Sequence, residues 1–351
     1  MPYAELRGHG WEPFIVVPAT WRHDYASAAF APEVLDGLDG RVVGRRVALA
    51  GRVQRHFYLT NVNRLIGEVR PDVAFIEAEP TSLPAFQWGW GLARAGVPFG
   101  VQADENLDRS YPLPARAFRR WCLSRAAYVA SRSPSAARLV RNFHASIPTP
   151  LIPHHIPPWE ALAPRPRDLF VVGYAGRFVA EKGLNLLVDA VTGLEGVALR
   201  LVGNGPLREE LRARAVTNGV DFEIDTSVTP GQMAAAYARF DVLVLPSLST
   251  ATWAEQFGRV LVEAMACGVP VVGSDSGEIP WVIESTGGGL VVPEGDVGAL
   301  RETLRRLRDD PSLRRQLAAR GREEAKARFS VESVARELDA ALQAALQSRQ
   351  C

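Results

Sequence analysis

Four ionisable side chains in the second half of the chain have the spacing to grip one elongated anion: Arg177 and Lys182 in "VGYAGRFVAEKGLNLLVDA", and Glu255 and Glu263 in "TWAEQFGRVLVEAMACGVP". The first stretch is a β-branched run that passes through Gly173 and Gly176 into a loop, and its apolar periodicity predicts a helix from about Gly183. That order aims two cations and a helix N-terminus at one place, as a diphosphate leaving group requires. Two surface cations in a loop is the plain alternative. Lysine is scarce, however: Lys182 and Lys326 are the only two among 40 basic residues, so a lysine at this position is informative.

The run "VLVLPSLSTATWAEQFG" reads as a buried strand ending at Pro246, a small-residue loop, and Phe257-Gly258 entering an amphipathic helix. Glu255 then lies just ahead of the helix and Glu263 inside it, about 12 Å along the axis if the whole interval were helical. One carboxylate could hold sugar hydroxyls and the other a ribose, with the Phe257 and Gly258 amides at phosphates between them. For Glu255 the competing reading is an acid that complements the helix dipole. For Glu263 a solvated position fits poorly, because Val260, Leu261, Val262, Ala264 and Met265 flank it and a buried carboxylate needs a partner. Upstream, "LVGNGPL" places Gly203, Asn204 and Gly205 directly before a helix, where glycine lets backbone approach a ligand closely; alone it signals only a tight turn.

Positioning these residues takes a framework, and short β-branched runs alternating with helical patterns indicate parallel sheets wrapped by helices. In the first half, strands are expected at Phe14–Val17, Val47–Ala50, Val73–Ala78, Phe99–Val101 and Tyr128–Ala130. In the second, they are expected at Leu169–Tyr174, Ala198–Val202, Asp221–Ile224, Val242–Pro246 and Val269–Gly273, with helices near 183–193, 205–218, 230–239 and 257–267. The Pro-rich segment between them, residues 151–168, cannot be a regular helix and reads as a linker. The expected architecture is α/β, with two Rossmann-like doubly wound domains facing one another across a cleft and ligands at the carboxyl ends of the strands. The domains would be residues 1–150 and 169–329, and a C-terminal helix at 330–351 is expected to pack back on the first.

At 351 residues, nearly half of them hydrophobic, the chain exceeds what one core usually holds. It contains no run of about 18 apolar residues and does not open on a basic segment followed by an apolar one. A soluble cytoplasmic protein is therefore expected, working free or at the inner face of a membrane. Cys122, Cys267 and Cys351 are far apart and match no metal-ligand spacing, so they read as free thiols with no metal site. Residues 1–150 hold 18 arginines against 13 acidic residues, whereas the remainder holds 22 basic against 26 acidic. A solvated surface is the bland explanation. Attraction to an anionic acceptor or to lipid headgroups is the functional one, and Arg116, Arg119, Arg120 and Arg125 around Trp121 suit it. The excess is modest and no recognition motif accompanies it, so a nucleic-acid partner is not expected.

Taken together, Gly-Arg-x4-Lys-Gly at 176–183, Gly-x-Gly-Pro at 203–206 and Glu-x7-Glu at 255–263 resemble the retaining glycosyltransferases of family four, the glycosyl transferases group 1 with the GT-B fold. The motifs come in the family's order and cover most of the second domain. In the first half, "DVAFIEAEPTSLPAFQ" and "ADENLDRSYPLPARAFRRWCLSRAAYVASRSPSA" are similar to members with an acidic EP turn and an "N…YP.P" segment. The resemblance implies sugar transfer from a nucleotide diphosphate donor, a UDP- or GDP-sugar, to an acceptor hydroxyl with retention and without a further cofactor. By carry-over, Arg177 and Lys182 neutralise the departing diphosphate, Glu255 positions the donor sugar and Glu263 binds the ribose. Gly176, Gly203, Asn204 and Gly205 would lie against the donor beside the Phe257 and Gly258 amides. No Asp-x-Asp pair occurs in the chain, in keeping with a metal-independent site.

Two departures stand out. "MPYAELRGHGWEPFIVVP" matches the end of the family's first helix followed by its second strand, so the first domain is expected to lack its first strand and glycine-rich loop. Where relatives carry a histidine facing the donor sugar, this chain reads Gln102-Ala-Asp-Glu-Asn106, which makes Asp104, Glu105 and Asn106 candidates to take its place. The other histidines, including His154 and His155, read as structural or solvated. The competing reading is a truncated, non-catalytic binder of nucleotide sugars acting as a partner or regulator. An epimerase or a phosphorylase of the same architecture is less favoured, since a phosphorylase would need a second specialised lysine.

Losing one contact to a leaving group typically costs on the order of 3 to 4 kcal/mol in the barrier. Lys182→Ala is therefore expected to lower turnover roughly a hundredfold while the chain stays folded, as judged by steady-state kinetics beside a thermal melt. Near-wild-type turnover would remove Lys182 from the chemistry.

Overall fold

The computed structural model describes residues 2–21, 38, 40–159 and 168–348, so residues 160–167 of the Pro-rich segment lie outside the described residues. Residues 1–155 together with 331–351 form one compact unit, and residues 156–330 form a second.

In the first unit the chain runs α1 (Pro2–Glu5), β1 (Ile15–Pro18), β2 (Val42–Arg45), β3 (Val47–Ala48), β4 (Phe57–Tyr58), α2 (Val62–Val69), β5 (Ala74–Ile76), α3 (Leu83–Arg94), β6 (Phe99–Ala103), α4 (Leu113–Arg125), β7 (Tyr128–Ser131) and α5 (Pro134–Phe143). Strands β5, β6 and β7 form a parallel sheet in that order. Every residue of β6 and β7 is buried, as expected for parallel strands covered on both faces. The helices start where the sequence supplies a cap: the Ser82 and Ser133 hydroxyls accept from the Ala85 and Ala136 amides, each with a proline in the first turn.

The first half differs from one continuous doubly wound sheet among the described residues. Strands β1 and β2 pair in parallel as a separate two-stranded sheet, and the expected strand at 47–50 is two residues long, in an antiparallel hairpin with β4. Residues of β1 and β2 are only half-buried, so hydrophobic alternation there signalled strands without specifying which sheet they join. The segment read as linker also contributes: Leu151 bridges Ser131 at the edge of β7, and Ile152 and Ile156 are buried.

The second unit runs β8 (Phe170–Ala175), α6 (Leu184–Val191), β9 (Val197–Val202), α7 (Arg208–Thr217), β10 (Asp221–Asp225), α8 (Met233–Tyr237), β11 (Val242–Leu245), α9 (Arg259–Ala266), β12 (Val271–Ser274), α10 (Ile279–Thr286), β13 (Gly289–Val292), α11 (Val297–Asp309) and α12 (Pro311–Phe329). Its six strands are all parallel in the order β10-β9-β8-β11-β12-β13. That is the doubly wound arrangement, in which the chain starts at the centre, winds outward, then returns and winds the other way. The winding direction reverses between β8 and β11, and the loops leaving those two strands diverge above the seam. Strand β13 and the true helix starts at Leu184, Arg208, Met233 and Arg259 refine the boundaries read from the sequence. The last helix, α13 (Val331–Gln347), belongs to the first unit, where Val334, Leu338 and Leu342 pack with Leu6, Tyr128 and Ile152.

Packing in the second unit is tight at the seam. A methyl group on Gly173 in β8 would come within 2.1 Å of the Phe240 ring. Gly173→Ala is expected to destabilise the chain by about 1 to 3 kcal/mol through overpacking. Denaturant unfolding would read this as a lower midpoint at unchanged slope, and an unchanged midpoint would show that the ring can yield.

Candidate active site

Four loops at the carboxyl ends of β8, β9, β11 and β12 meet over the seam of the second unit. The loop after β8 carries Gly176 and Arg177, turns through a short 3-10 segment, Ala180–Lys182, and enters α6 at Gly183. It is locked to the β11 loop: the Leu248 amide donates to the Glu181 carbonyl at 2.8 Å, and a Cβ on Gly183 would sit 2.0 Å from the Pro246 carbonyl oxygen. It is equally locked to the β9 loop, where the Phe178 amide donates to the Asn204 carbonyl at 2.9 Å. Gly203 has φ +138, and a side chain there would meet the Gly176 carbonyl oxygen at 1.9 Å. Only glycine permits that approach. Gly176, Gly203, Asn204 and Gly205 therefore do share one place.

Lys182 and Glu255 meet across the seam. Lys182 Nζ donates to Glu255 Oε2 at 2.5 Å, and the Ser247 hydroxyl donates to the same oxygen at 2.9 Å. Both members are largely buried, with side-chain exposures of 13% and 11%. The Lys182 ammonium also lies 5.2 Å from the Trp253 ring centroid. Ser247 is held by its neighbours, since the Ser274 hydroxyl donates to its carbonyl at 2.6 Å. The backbone of Glu255 is clamped too: the Glu278 amide donates to its carbonyl at 2.9 Å. A buried pair of this kind gives Lys182 a structural stake, because removing one partner typically costs about 3 to 5 kcal/mol. Kinetics on a Lys182 variant therefore need a folding control.

Arg177 belongs to the same neighbourhood. The buried Tyr174 hydroxyl donates to its carbonyl at 2.8 Å. Burial pushes the Tyr174 phenol far above its ordinary range, with the Glu255 carboxylate adding to the rise and the Arg177 guanidinium opposing it. One hydroxyl thus feels both charges.

Glu263 is held apart by its own partners. Helix α9 is buried from Leu261 to Ala266, Glu263 included. The Tyr237 hydroxyl donates to Glu263 Oε2 at 2.6 Å, and Arg259 Nε lies 2.9 Å from Oε1 one helical turn back. Burial raises the Glu263 carboxyl above its usual range, and the Tyr237 and Arg259 contacts offset part of that rise. Gly258 caps α9 with left-handed φ 72, and the Phe257 ring is core, packed on Trp281 and Phe329 at 6.1 and 5.6 Å. The interval from Glu255 to Glu263 is therefore a loop followed by a helix starting at Arg259, and not a helix throughout.

Asp104, Glu105 and Asn106 follow β6 in the first unit, and the first two join a polar network. Glu79 Oε1 accepts from the Asp104 and Glu105 amides at 2.6 and 3.0 Å. Asp104 Oδ1 lies 3.1 Å from His154 Nε2, and Gln102 donates to Oδ2. The buried Arg132 donates to Glu77 at 3.0 Å and to Gln102 at 2.5 Å. Tyr111 donates to Glu105. Burial on its own would raise the Asp104 carboxyl, but the His154 contact, with Gln102 and Arg132, holds it below its usual range. Glu79 moves the other way: burial first, then the charges of Glu105 and Asp104, push its carboxyl well up, and the two amide bonds offset only part. His154, read as structural or solvated, is half-buried against Asp104. Ser247, Trp253 and Tyr237, and in the first unit Glu77, Glu79, Gln102 and Arg132, were not singled out by residue pattern. Ser247 had a weak signal as the hydroxyl just past a strand end, and Tyr237 had none.

Among the described residues no group of three or more His, Cys, Asp or Glu could hold a metal ion. Residues 159–324 match the family described as glycosyl transferases group 1. The lipopolysaccharide core biosynthesis glycosyltransferase LpsD of Rhizobium meliloti is 33% identical over 196 residues, 56% of this chain and 54% of that protein. The chain spans about half the length of the curated relatives it matches. Among solved structures, sucrose-phosphate synthase from Thermosynechococcus elongatus superposes with TM-score 0.69 at 20% identity, covering 96% of this chain and 90% of that one. HepE of Anabaena in complex with UDP gives TM-score 0.67 at 18% identity, covering 80% and 81%. Likeness at such identities speaks for the fold alone.

The network around Glu79 makes stability depend on pH with a defined sign. A carboxyl raised in the folded state keeps its proton where an unfolded glutamate has lost it. Its contribution is fully present below the ordinary glutamate range and is lost as pH rises through the folded value. Glu79→Gln retains an acceptor for the two amides and removes the titration. The variant is expected to gain on the wild type as pH rises above about 5, by at most about 1.4 kcal/mol per pH unit. A gap in thermal midpoint that stays constant with pH would show that Glu79 is ionised in the fold. Residues 159–324 thus match the glycosyl transferases group 1 model, and the superpositions support the α/β GT-B fold.

Proposed function

We propose that the chain is a glycosyltransferase that moves a sugar from a UDP- or GDP-sugar to an acceptor hydroxyl with retention of anomeric configuration. The observation that carries this reading is the Lys182–Glu255 pair over the seam of the second unit, with Arg177 and the Gly203–Gly205 turn beside it. In this reading the bond from the anomeric carbon to the diphosphate oxygen breaks as the acceptor oxygen bonds to that carbon on the same face, and the acceptor's proton passes to the departing diphosphate. Arg177 and Lys182 take up the charge that develops on the diphosphate in a site sheltered from water. Glu255, held by Ser247 and by its clamped backbone, accepts hydrogen bonds from the donor sugar, and Lys182 is shared between that carboxylate and the phosphates. Glu263, fixed by Tyr237, meets the ribose hydroxyls, and the Phe257 and Gly258 amides face the phosphates. The closely packed glycines at 176, 203 and 205 keep side chains out of the donor's path.

Asp104, Glu105 and Asn106 serve the sugar or the acceptor from the first unit, in place of the family's histidine. The acceptor is a saccharide or a lipid-linked saccharide; the relative from Rhizobium meliloti bears a name that assigns it to lipopolysaccharide core assembly. Contact with a membrane surface through the first unit is part of this proposal, and no helix among the described residues is long and apolar enough to cross one. No observation favours a non-catalytic binder.

A panel of nucleotide sugars tests the donor half of the reading. The matching donor at a hundred times its dissociation constant is expected to stabilise the chain by about 2.7 kcal/mol. That gain should largely disappear in Glu263→Gln, and a nucleotide sugar with the mismatched base should not produce it. Absence of stabilisation by every UDP- and GDP-sugar would overturn the proposal.

A further inference from the structure

We propose that the face of the first unit built on α3, α4 and the β3–β4 hairpin is a docking surface for an anionic lipid bilayer. This deepens the membrane contact proposed above and rests on residues of the first unit alone. From Arg109 to Trp159 the chain contains eight arginines and not one Asp or Glu. Helix α4 lies in that stretch, and α3 is likewise free of acidic residues.

The two helices pack through aromatic rings. Phe86 stacks on Phe118 at 4.7 Å, and Trp90 meets Trp121 at 5.6 Å, so residues one turn apart on α3 face residues one turn apart on α4 and the helices run side by side in the same direction. Trp90 remains 46% exposed at the outer edge of that cluster, and Leu113 at the start of α4 is 77% exposed. Beside Trp90 lies a groove of about 470 Å³ lined by Phe57, Leu83 and Phe86 among others. The hairpin flanks it: Gln87 bridges both backbone groups of Tyr58 at 2.8 Å, and the Leu83 amide donates to Gln54 at 3.0 Å. The hairpin loop exposes Leu49 and Val53 at 56% and 65%.

The same elements carry exposed cations. Arg94 on α3, Arg116, Arg120 and Arg125 on α4, and Arg52 and Arg55 in the hairpin loop are exposed. None of the six has a carboxylate partner among the described residues. On an ordinary solvated surface, charges of both signs are interspersed. Here six guanidinium groups without a carboxylate partner among the described residues stand on the same elements as Trp90, Leu113, Leu49 and Val53, and the acid that does lie against α4 is Asp108, 3.9 Å from Arg119. Tryptophan and arginine together suit the headgroup level of a bilayer, where the ring end is apolar, the tip is wet and the phosphates are negative. An apolar groove at the same level can take part of an acyl chain. A second copy of this chain would bring the same positive charge to the interface and be repelled.

Co-sedimentation of the full chain with phosphatidylcholine vesicles, with and without phosphatidylglycerol, tests the inference with no sugar donor present, so its outcome is separate from that of the transferase reading. The chain is expected to pellet with the anionic vesicles at low salt, to be released by high salt and to stay in solution with neutral ones. Arg116→Ser with Arg120→Ser should weaken anionic binding roughly thirtyfold, each arginine near such a surface contributing about a factor of five. Trp90→Ser should weaken it as well. Because Arg116 and Arg120 are exposed and have no carboxylate partner among the described residues, the double variant should keep the wild-type thermal midpoint and remains informative if Trp90→Ser is unstable. Absence of binding to anionic vesicles, equal binding to neutral ones, or undiminished binding by the arginine variant would overturn the proposal. So would a concentration-dependent dimer lost in Trp90→Ser, or retention on heparin without vesicle binding.

Discussion

A parallel sheet that starts at its centre and winds first one way and then the other leaves a seam where consecutive loops part, and in this chain the seam lies between β8 and β11. The ion pair of Lys182 and Glu255 exists because of that topology. The two residues are 73 positions apart, yet each stands in the first loop beyond one of the two central strands. Everything else around the pair serves its geometry. Gly183 brings the β8 loop against the Pro246 carbonyl, Ser247 fixes the carboxylate, and the Glu278 amide fixes the backbone behind it. Burial makes such a pair roughly neutral for stability while it is intact and costly once one partner is removed.

The buried carboxylates show how the same cost is met in different ways. Glu263 sits in a helix enclosed on nearly all sides and is held by a phenol and a guanidinium. In the first unit, Asp104 is kept ionised by His154 and Arg132, while Glu79 is surrounded by other acids and driven toward its neutral form. Two carboxyl groups whose environments push their proton affinities apart give one network both a hydrogen-bond donor and an acceptor. That network stands at the carboxyl ends of β5 and β6, as the seam cluster of the second unit stands at those of β8 and β11.

The second half was more legible than the first because four of its strands, β8, β9, β11 and β12, are buried along nearly their whole length. Runs such as Phe170–Ala175 and Val242–Leu245 are apolar without interruption, and the helices between them have clear breaks. Half-buried β1 and β2 carry a weaker pattern, and a two-residue strand such as β3 carries none. The Pro-rich segment carries the chain from the first unit to the second, as read, and does more than link them. Prolines exclude a helix but not a strand edge, and Leu151 pairs there with Ser131.

Residue types and local spacing alone determined the alternating α/β plan, the glycine turns after β8 and β9, and the need of Glu263 for a partner. They determined these because each follows from the intrinsic geometry or solvation of a few neighbouring residues. Which groups actually meet was decided only by the tertiary structure. Tyr237 reaches Glu263 from 26 positions away, Lys182 reaches Glu255 from 73, and Arg132 joins Glu77 from 55. Such distances are closed by sheet order and helix packing, and no local pattern encodes them.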